Sequence, residues 1–241
     1  LGGRIEWTTV SNSYSSCGVS SPGYNIGGFG GQMINATINR SYSSGNISSG
    51  TAYSQCGGFA GINNNGTIND CYATGNAGGT YRVGGFIGEE QGASSVNRCY
   101  SSGAVNASTS DVGGFVGISA GTNSNCRWDA DTDNIAGTSS GSTNGGAIGK
   151  STTEMKTLTT FTGAGWDFEV ETSNGTNDYW DLDNSQSINS GYPFLSWENG
   201  AEVALPITLA SFDAVYANGA VSVTWVTESE SENTAFRIYR D

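Results

Sequence analysis

The sequence predicts an all-β solenoid, a stack of short strands wound in coils, on three observations. The first is a repeat: Gly-Gly-Phe occurs at Gly27-Gly28-Phe29, Gly57-Gly58-Phe59, Gly84-Gly85-Phe86 and Gly113-Gly114-Phe115, with a degenerate copy at Gly145-Gly146-Ala147-Ile148-Gly149. The first glycines stand 30, 27, 29 and 32 residues apart, and self-similarity at such a period marks a stacked architecture. The second is a companion motif that keeps step with it: Val10-Ser11-Asn12-Ser13-Tyr14, Ile38-Asn39-Arg40-Ser41-Tyr42, Ile68-Asn69-Asp70-Cys71-Tyr72 and Val96-Asn97-Arg98-Cys99-Tyr100. The third is composition. Glycine supplies 37 of 241 residues, about twice its usual share of ~7%. Hydrophobic residues still reach 36%, with 11 tyrosines and 9 phenylalanines, enough for a core that a disordered chain lacks.

Within each repeat, apolar alternations such as Ala36-Thr37-Ile38, Gly85-Phe86-Ile87-Gly88 and Gly103-Ala104-Val105 are bounded by Gly, Asn and Ser. They predict strands of three to five residues separated by turns. One unit cannot bury its inward side chains alone, whereas stacked units can. Coils then lie about 4.8 Å apart, the ordinary strand spacing. Phe29, Phe59, Phe86 and Phe115 are expected to form one ladder, and Tyr14, Tyr42, Tyr72 and Tyr100 another. Glycines are expected at corners that need positive φ. A β-sandwich of hairpins is the rival, but it has no need of one motif every ~28 residues.

The repeat domain is read as residues 1–150. Residues 151–200 read as its cap. Ser151-Thr152-Thr153-Glu154 has the capping-box pattern, and Met155, Leu158 and Phe161 follow at helical spacing up to Gly163. A helix of about ten residues over the open end of the stack is therefore expected, where it covers unpaired strand edges. Gly165-Trp166-Asp167-Phe168, Tyr179-Trp180-Asp181-Leu182 and Tyr192-Pro193-Phe194-Leu195 then read as short aromatic strands, more as core than as a sugar-binding stripe. Residues 204–241 alternate with period two at Ser211-Phe212-Asp213-Ala214-Val215, Ala220-Val221-Ser222-Val223-Thr224-Trp225 and Phe236-Arg237-Ile238-Tyr239. That predicts three strands where an immunoglobulin-like sandwich needs about seven, so more chain or another molecule is expected to complete them. The opening Leu1-Gly2-Gly3-Arg4 reads as the middle of a repeat rather than as a signal peptide.

Net charge is −13, from 22 acidic and 9 basic residues. Such a surface repels phosphate backbones, which argues against nucleic acid as a partner. No run reaches the ~18 apolar residues of a membrane span, so no membrane insertion is expected. The chain has no histidine, hence none of the usual neutral-pH bases. Asp129-Ala130-Asp131-Thr132-Asp133-Asn134 places three carboxylates at alternate positions, as in the first half of an EF-hand loop. It departs from that loop at Asn134, which should be glycine, and at Ser140, which should be a bidentate glutamate. Asp129, Asp131 and Asp133 are the candidate calcium ligands, with Asp181-Leu182-Asp183-Asn184 a weaker second site. Glu89-Glu90 reads as a solvated corner, since adjacent strand residues face opposite ways and cooperate poorly in catalysis. Cys71, Cys99 and Cys126 recur once per coil and should stack as small apolar residues. Cys17 and Cys56 fall elsewhere in the repeat, and no spacing demands a disulfide.

The Gly-Gly-Phe-(Ile/Val)-Gly and Asn-x-Cys-Tyr-(Ala/Ser)-(Thr/Ser)-Gly segments resemble the GLUG repeat of bacterial surface proteins, over about residues 1–150. Those are adhesin-like β-helical chains, and the repeat also occurs in non-catalytic parts of IgA-specific metallopeptidases. The resemblance implies a right-handed parallel β-helix. The run from Leu205-Pro206-Ile207 to Tyr239 is similar to the fibronectin type III-like domain that precedes sorting signals in Bacteroidetes proteins exported by type IX secretion. Together these imply a secreted or cell-surface bacterial protein, structural or adhesive rather than enzymatic, and a candidate fibre component. Its expected partners are other copies of itself, other surface proteins or glycans. The alternative is an accessory binding module or catalytic domain of a carbohydrate-processing enzyme. Ice binding is a third idea, but regular Thr-x-Thr ladders are absent.

Overall fold

In a computed structural model the chain is a right-handed parallel β-helix of about four turns. The structure describes residues 2–107, 111–132, 144–169, 171–183, 185–199, 209–217 and 220–227, the last two segments by their backbone pairing alone. The chain divides into two compact units, residues 1–196 and 197–241.

Each coil carries five short strands, and equivalent strands of successive coils pair in parallel to give five sheets. Sheet A contains Gly2–Glu6, Gly30–Ile34, Ala60–Asn64, Ile87–Gln91 and Val116–Ser119. Sheet B contains Thr9–Ser11, Thr37–Asn39, Thr67–Asn69, Ser95–Asn97 and Thr122–Ser124. Sheet C begins with Tyr14–Ser15 and runs through Tyr42–Ser43, Tyr72–Ala73 and Tyr100–Ser101 to Arg127–Asp129. Sheet D holds Val19–Ser21, Ile47–Ser49, Ala77–Gly79 and Val105–Ala107. Sheet E holds Ile26–Gly27, Cys56–Gly57, Val83–Gly84 and Val112–Gly113. Ile38, Ile68 and Val96 pair in one column and Tyr14, Tyr42, Tyr72 and Tyr100 in another, so motif equivalence in the sequence is register in space.

The corners differ from expectation. The turn into sheet C is made by Asn12, Arg40, Asp70, Arg98 and Asn125, all at φ between 46° and 58°. Asn and Asp tolerate this left-handed conformation best among side-chain-bearing residues. The residue after each corner, Ser13, Ser41 or Cys71, has an N–H outside the backbone ladder, and the side chain one coil on accepts it. Ser41 Oγ takes the Ser13 N–H at 3.2 Å, Cys71 Sγ takes that of Ser41 at 3.4 Å, and Cys99 Sγ takes that of Cys71 at 3.3 Å. Each side chain in turn donates to the carbonyl two residues earlier, as Ser41 does to Asn39 at 2.9 Å and Cys71 to Asn69 at 3.1 Å. The cysteines therefore stack in the core as expected, and their sulfurs also satisfy buried amides.

The paired glycines serve close approach, not positive φ. A Cβ on Gly57 would lie 2.0 Å from the Ala60 carbonyl oxygen, and one on Gly58 would lie 2.2 Å from that of Gly85. At these glycines the coil is pinched against the inner face of sheet C, where Ser43 Oγ donates to Gly58 O at 2.8 Å and Ser101 Oγ to Gly114 O at 2.7 Å. The pinch separates two core clusters. The larger holds Phe29, Phe59, Phe86 and Phe115, all fully buried, stacked at 4.7, 4.7 and 4.9 Å with their planes within 10°. The smaller is built by Ile26, Ile47, Cys56, Ala77, Val83, Val105 and Val112 from sheets D and E.

The degenerate fifth copy leaves the pattern. Gly145 and Gly146 form a 3₁₀ turn at positive φ, and Ile148–Lys150 joins sheet C beside Arg127–Asp129. Trp128 and Ala147 pack on the core at this end. The predicted single helix is two, Thr152–Met155 (α1) and Leu158–Thr162 (α2), broken at Lys156 and Thr157. The capping box forms at Ser151, whose Oγ accepts the Glu154 N–H while Glu154 accepts that of Ser151. The cap does not close the end of the stack as expected. It runs back along the outer face of sheet C, because the tyrosine ladder there is an apolar stripe. Trp166 Nε1 donates to Asn125 O at 2.8 Å, Trp180 Nε1 to Asp70 Oδ1 at 3.2 Å, and Tyr100 OH to Pro193 O at 2.6 Å. Exposure along the ladder falls accordingly, from 54% at Tyr14 to 2% at Tyr72 and none at Tyr100.

In the second unit, Leu209–Ala217 and Ala220–Thr227 pair as an antiparallel hairpin, and the predicted third strand at Phe236–Tyr239 lies outside the described residues. No helix among the described residues is long and apolar enough to cross a membrane.

Two substitutions test this packing by urea denaturation. Phe86→Ala opens a cavity in the stacked column and is expected to cost about 3–5 kcal/mol. Gly58→Ala drives a methyl group into the next coil and is expected to cost about 1–3 kcal/mol. An unmoved midpoint in either variant contradicts the register or the pinch.

Candidate functional site

The carboxylates singled out as calcium ligands lie where the solenoid hands over to its cap. Asp129 ends the last sheet C strand of the coils and is 1% exposed. Thr152 Oγ1 donates to its two oxygens at 2.9 and 2.8 Å, Tyr192 OH donates at 2.6 Å and the Asp131 N–H at 2.9 Å. Burial, and next the hydrogen bond to Asp129, push the Tyr192 phenol well above its ordinary range. Asp131 accepts the Thr152 N–H at 2.9 Å, at the first turn of α1, where a carboxylate is favourable. Asp133 lies outside the described residues. Among the described residues no three Asp, Glu or Cys side chains converge on a shared metal position. What Asp129 and Asp131 do here is tie α1 and Tyr192 to the last coil.

The second acidic candidate builds its own loop. Asp183 accepts the N–H groups of Ser185, Ser187 and Ile188 at 2.8, 2.8 and 2.9 Å and the hydroxyls of Ser185 and Ser187. Those donors, led by the Ser185 hydroxyl, hold its carboxyl far below the ordinary range. Asp181 accepts the adjacent Leu182 N–H, at 2.7 Å, and Asn184 lies outside the described residues.

Glu89 and Glu90 are a correction: both are buried, at 8% and 2% exposure, and form no solvated corner. They do face opposite ways. Glu89 lies under Arg82 at 2.5 Å, Gln91 at 2.9 Å and Gln55 at 3.2 Å, and Asp111 approaches the same guanidinium at 3.6 Å. Glu90 points into the bore, in the column of Met33 and Asn63, where it accepts from Ser119 Oγ at 2.5 Å and Asn123 Nδ2 at 3.0 Å. Glu90 Oε1 and Asn63 Oδ1 are buried without a hydrogen-bond partner among the described residues. Desolvation raises the Glu90 pKa above its ordinary 4.5 against these two hydrogen bonds. Alternation tells which residues share a face but not which face is inside, so this burial was not legible from spacing. The two carboxylates are on opposite sides of one strand, and the pair is not arranged for acid–base catalysis.

The five cysteines are free, with Cys17 exposed and the other four buried. Burial pushes the Cys99 and Cys126 thiols well up, so they persist as the hydrogen-bonding thiols of the corner column.

The aromatic tail is core, as expected: Phe161, Trp166, Phe168, Trp180 and Phe194 are fully buried. Trp166 lies 4.5 Å from Trp180 and 4.8 Å from Phe161 between ring centroids. Sequence reasoning missed a different aromatic set. Tyr24, Tyr53 and Tyr81 stand at the turn from sheet D to sheet E in three successive coils, with Tyr24 and Tyr53 64% and 69% exposed. The available signal was a tyrosine five residues before Phe29 and Phe86 and six before Phe59. Unequal turn lengths broke its period.

Comparisons of the chain with protein-family models, with curated proteins and with solved structures each returned no match.

The burial of Glu90 sets a pH dependence. Its folded pKa is raised, so its contribution to stability is fully present below about pH 4.5 and is lost as pH rises through the folded value. Glu90→Gln removes that loss. The variant is expected to gain on the wild type in denaturation midpoint from pH 4 to pH 8, and a difference that does not change with pH contradicts it.

Proposed function

We propose that this chain is a secreted or cell-surface structural module of the GLUG type, adhesive in role, with a fibronectin type III-like segment following the repeats. The observation that carries the reading is the in-register stack of strands that runs through the described residues between 2 and 129. Outward positions line up in rows along the axis, so the module presents periodic surface rather than a single cleft. The rows are polar and uncharged over much of their length. Ser48 Oγ donates to Ser20 Oγ at 3.2 Å, Asn69 Nδ2 to Asn39 Oδ1 at 3.0 Å, and Asn46 Oδ1 accepts the Asn76 N–H at 2.9 Å. Such hydrogen-bonded ladders hold surface groups still, which lowers the entropy lost when a partner binds. The net charge of −13 keeps anionic partners away. Bacterial export is supported by the motif resemblance of both segments.

Two measurements test this reading. Antibody raised to residues 1–241 is expected to label intact, unpermeabilised cells that carry the gene, and beads coated with the protein are expected to hold to a cell or matrix surface under flow. Labelling that appears only after permeabilisation overturns the location. Release of reducing ends or unsaturated sugars from a polysaccharide panel overturns the non-enzymatic role.

A further inference from the structure

We propose that the row Tyr24, Tyr53, Tyr81 is a binding ridge for a neutral polysaccharide, with sugar rings lying on the tyrosine rings and their hydroxyl rims on the polar groups between them. The proposal rests on the surface-module reading above and names its ligand. Its first support is position. One tyrosine per coil stands at the same corner, and the rings of Tyr53 and Tyr81 lie 6.0 Å apart between centroids. That spacing is comparable to the length of a hexose unit.

The second support is rigidity without burial. Ser49 Oγ and Thr51 Oγ1, beside Tyr53, donate to the carbonyl of Gly23, beside Tyr24, at 3.2 and 3.1 Å. The Thr80 hydroxyl, beside Tyr81, donates to the Thr51 carbonyl. Each turn is thus fastened to the previous one by a hydroxyl, while Tyr53 keeps 69% of its surface open to water. Tyrosine on a fastened turn offers a large amphipathic contact with few torsions to freeze.

The third support is ring geometry. The phenylalanine column and the tyrosine column of sheet C use up their ring faces on one another. Tyr53 and Tyr81 instead meet edge to face, 6.0 Å apart at 71°, and Tyr24 and Tyr53 keep most of their surface open while Tyr81 is half-buried. The Arg82 guanidinium lies over the Tyr81 ring, 4.8 Å from its centroid, and helps to fix it.

Chemistry then selects the ligand class. Arg82 sits between Glu89 and Asp111, so the ridge has no net positive charge with which to draw an acidic polymer. The turns that carry the rings are otherwise polar in sequence, with Ser21, Asn25, Ser49, Thr51 and Gln55 among their residues, which gives little apolar surface to a hydrophobic protein partner. Isolated ring faces set among hydroxyls and amides match a neutral glycan, whose apolar ring faces alternate with hydroxyl rims.

The test is electrophoresis of the whole chain through native gels cast with mannan, mixed-linkage β-glucan, xyloglucan or alginate. Retardation by at least one neutral polymer and none by alginate is expected. Tyr53→Ala is expected to weaken binding at least tenfold, and the combined Tyr24→Ala, Tyr53→Ala, Tyr81→Ala variant to abolish it. Tyr14→Ala, on sheet C, should bind as the wild type does, and unchanged thermal midpoints show that all variants fold. Passage through every neutral gel without retardation overturns the proposal, as does equal retardation of the triple variant or retardation by alginate alone. If the coated beads adhere while all the gels fail, the ridge assignment falls and the adhesive reading stands. If a neutral gel retards the chain while intact cells go unlabelled, the surface location falls and the ridge stands.

Discussion

Each residue in this stack has its own equivalent for a neighbour, one strand spacing above and below, and that condition shapes everything else. A column accepts only residues that tolerate their like at that distance. Phenylalanine meets it by stacking ring on ring, asparagine by passing an amide hydrogen bond along the axis. At the corner into sheet C, charge meets it by alternating sign. Arg98 follows Asp70 at the corner into sheet C, with Nε and Nη2 donating to the two carboxylate oxygens at 2.7 and 2.8 Å. A bidentate pair of this kind is the strong form of the interaction.

The same condition explains the glycines. At the pinch, the backbone of one coil lies so near the next that the smallest side chain collides with a carbonyl oxygen. The facing column can then hold only Ser43, Ala73 and Ser101, small residues that reach the opposing backbone without displacing it. Gly-Gly-Phe and Tyr-(Ser/Ala) therefore travel together in the sequence because they meet across the bore. Phenylalanine follows at the point where the coil widens again.

Burial of the tyrosine ladder shows how a surface column becomes core. The four rings are chemically equivalent and share one stack, yet Tyr14 faces water and Tyr100 has none. What separates them is the cap, held by Asp129 at one end and by Asp70 through Trp180 further along. Among the described residues, aromatic side chains thus stand inside the bore, beneath the cap, and open at the corner of Tyr24 and Tyr53. Stacking distance alone does not distinguish them, whereas exposed ring face does.

The sequence by itself determined the period, the coil, the strand register and the identity of the ladders, because each is a one-dimensional property: a motif that recurs once per turn must stack on itself. It also located the cap and its capping box, since Ser151 and Glu154 are three residues apart and act locally. The tertiary structure decided what depends on contact between distant parts. Alternation placed Glu89 and Glu90 on opposite faces, but only the closed coil showed that one fills the bore and the other lies under Arg82. Helical spacing linked Met155, Leu158 and Phe161, but packing on the tyrosine ladder split the helix and laid it along the side. The carboxylates of Asp129, Asp131 and Asp133 were legible as an alternating set. The use of the first two as anchors was not, because the donors that claim them, Thr152 and Tyr192, come from 23 and 63 residues away. The corner tyrosines were hidden for a related reason: turns of unequal length shift their spacing in the sequence, while the strands on either side restore it in space.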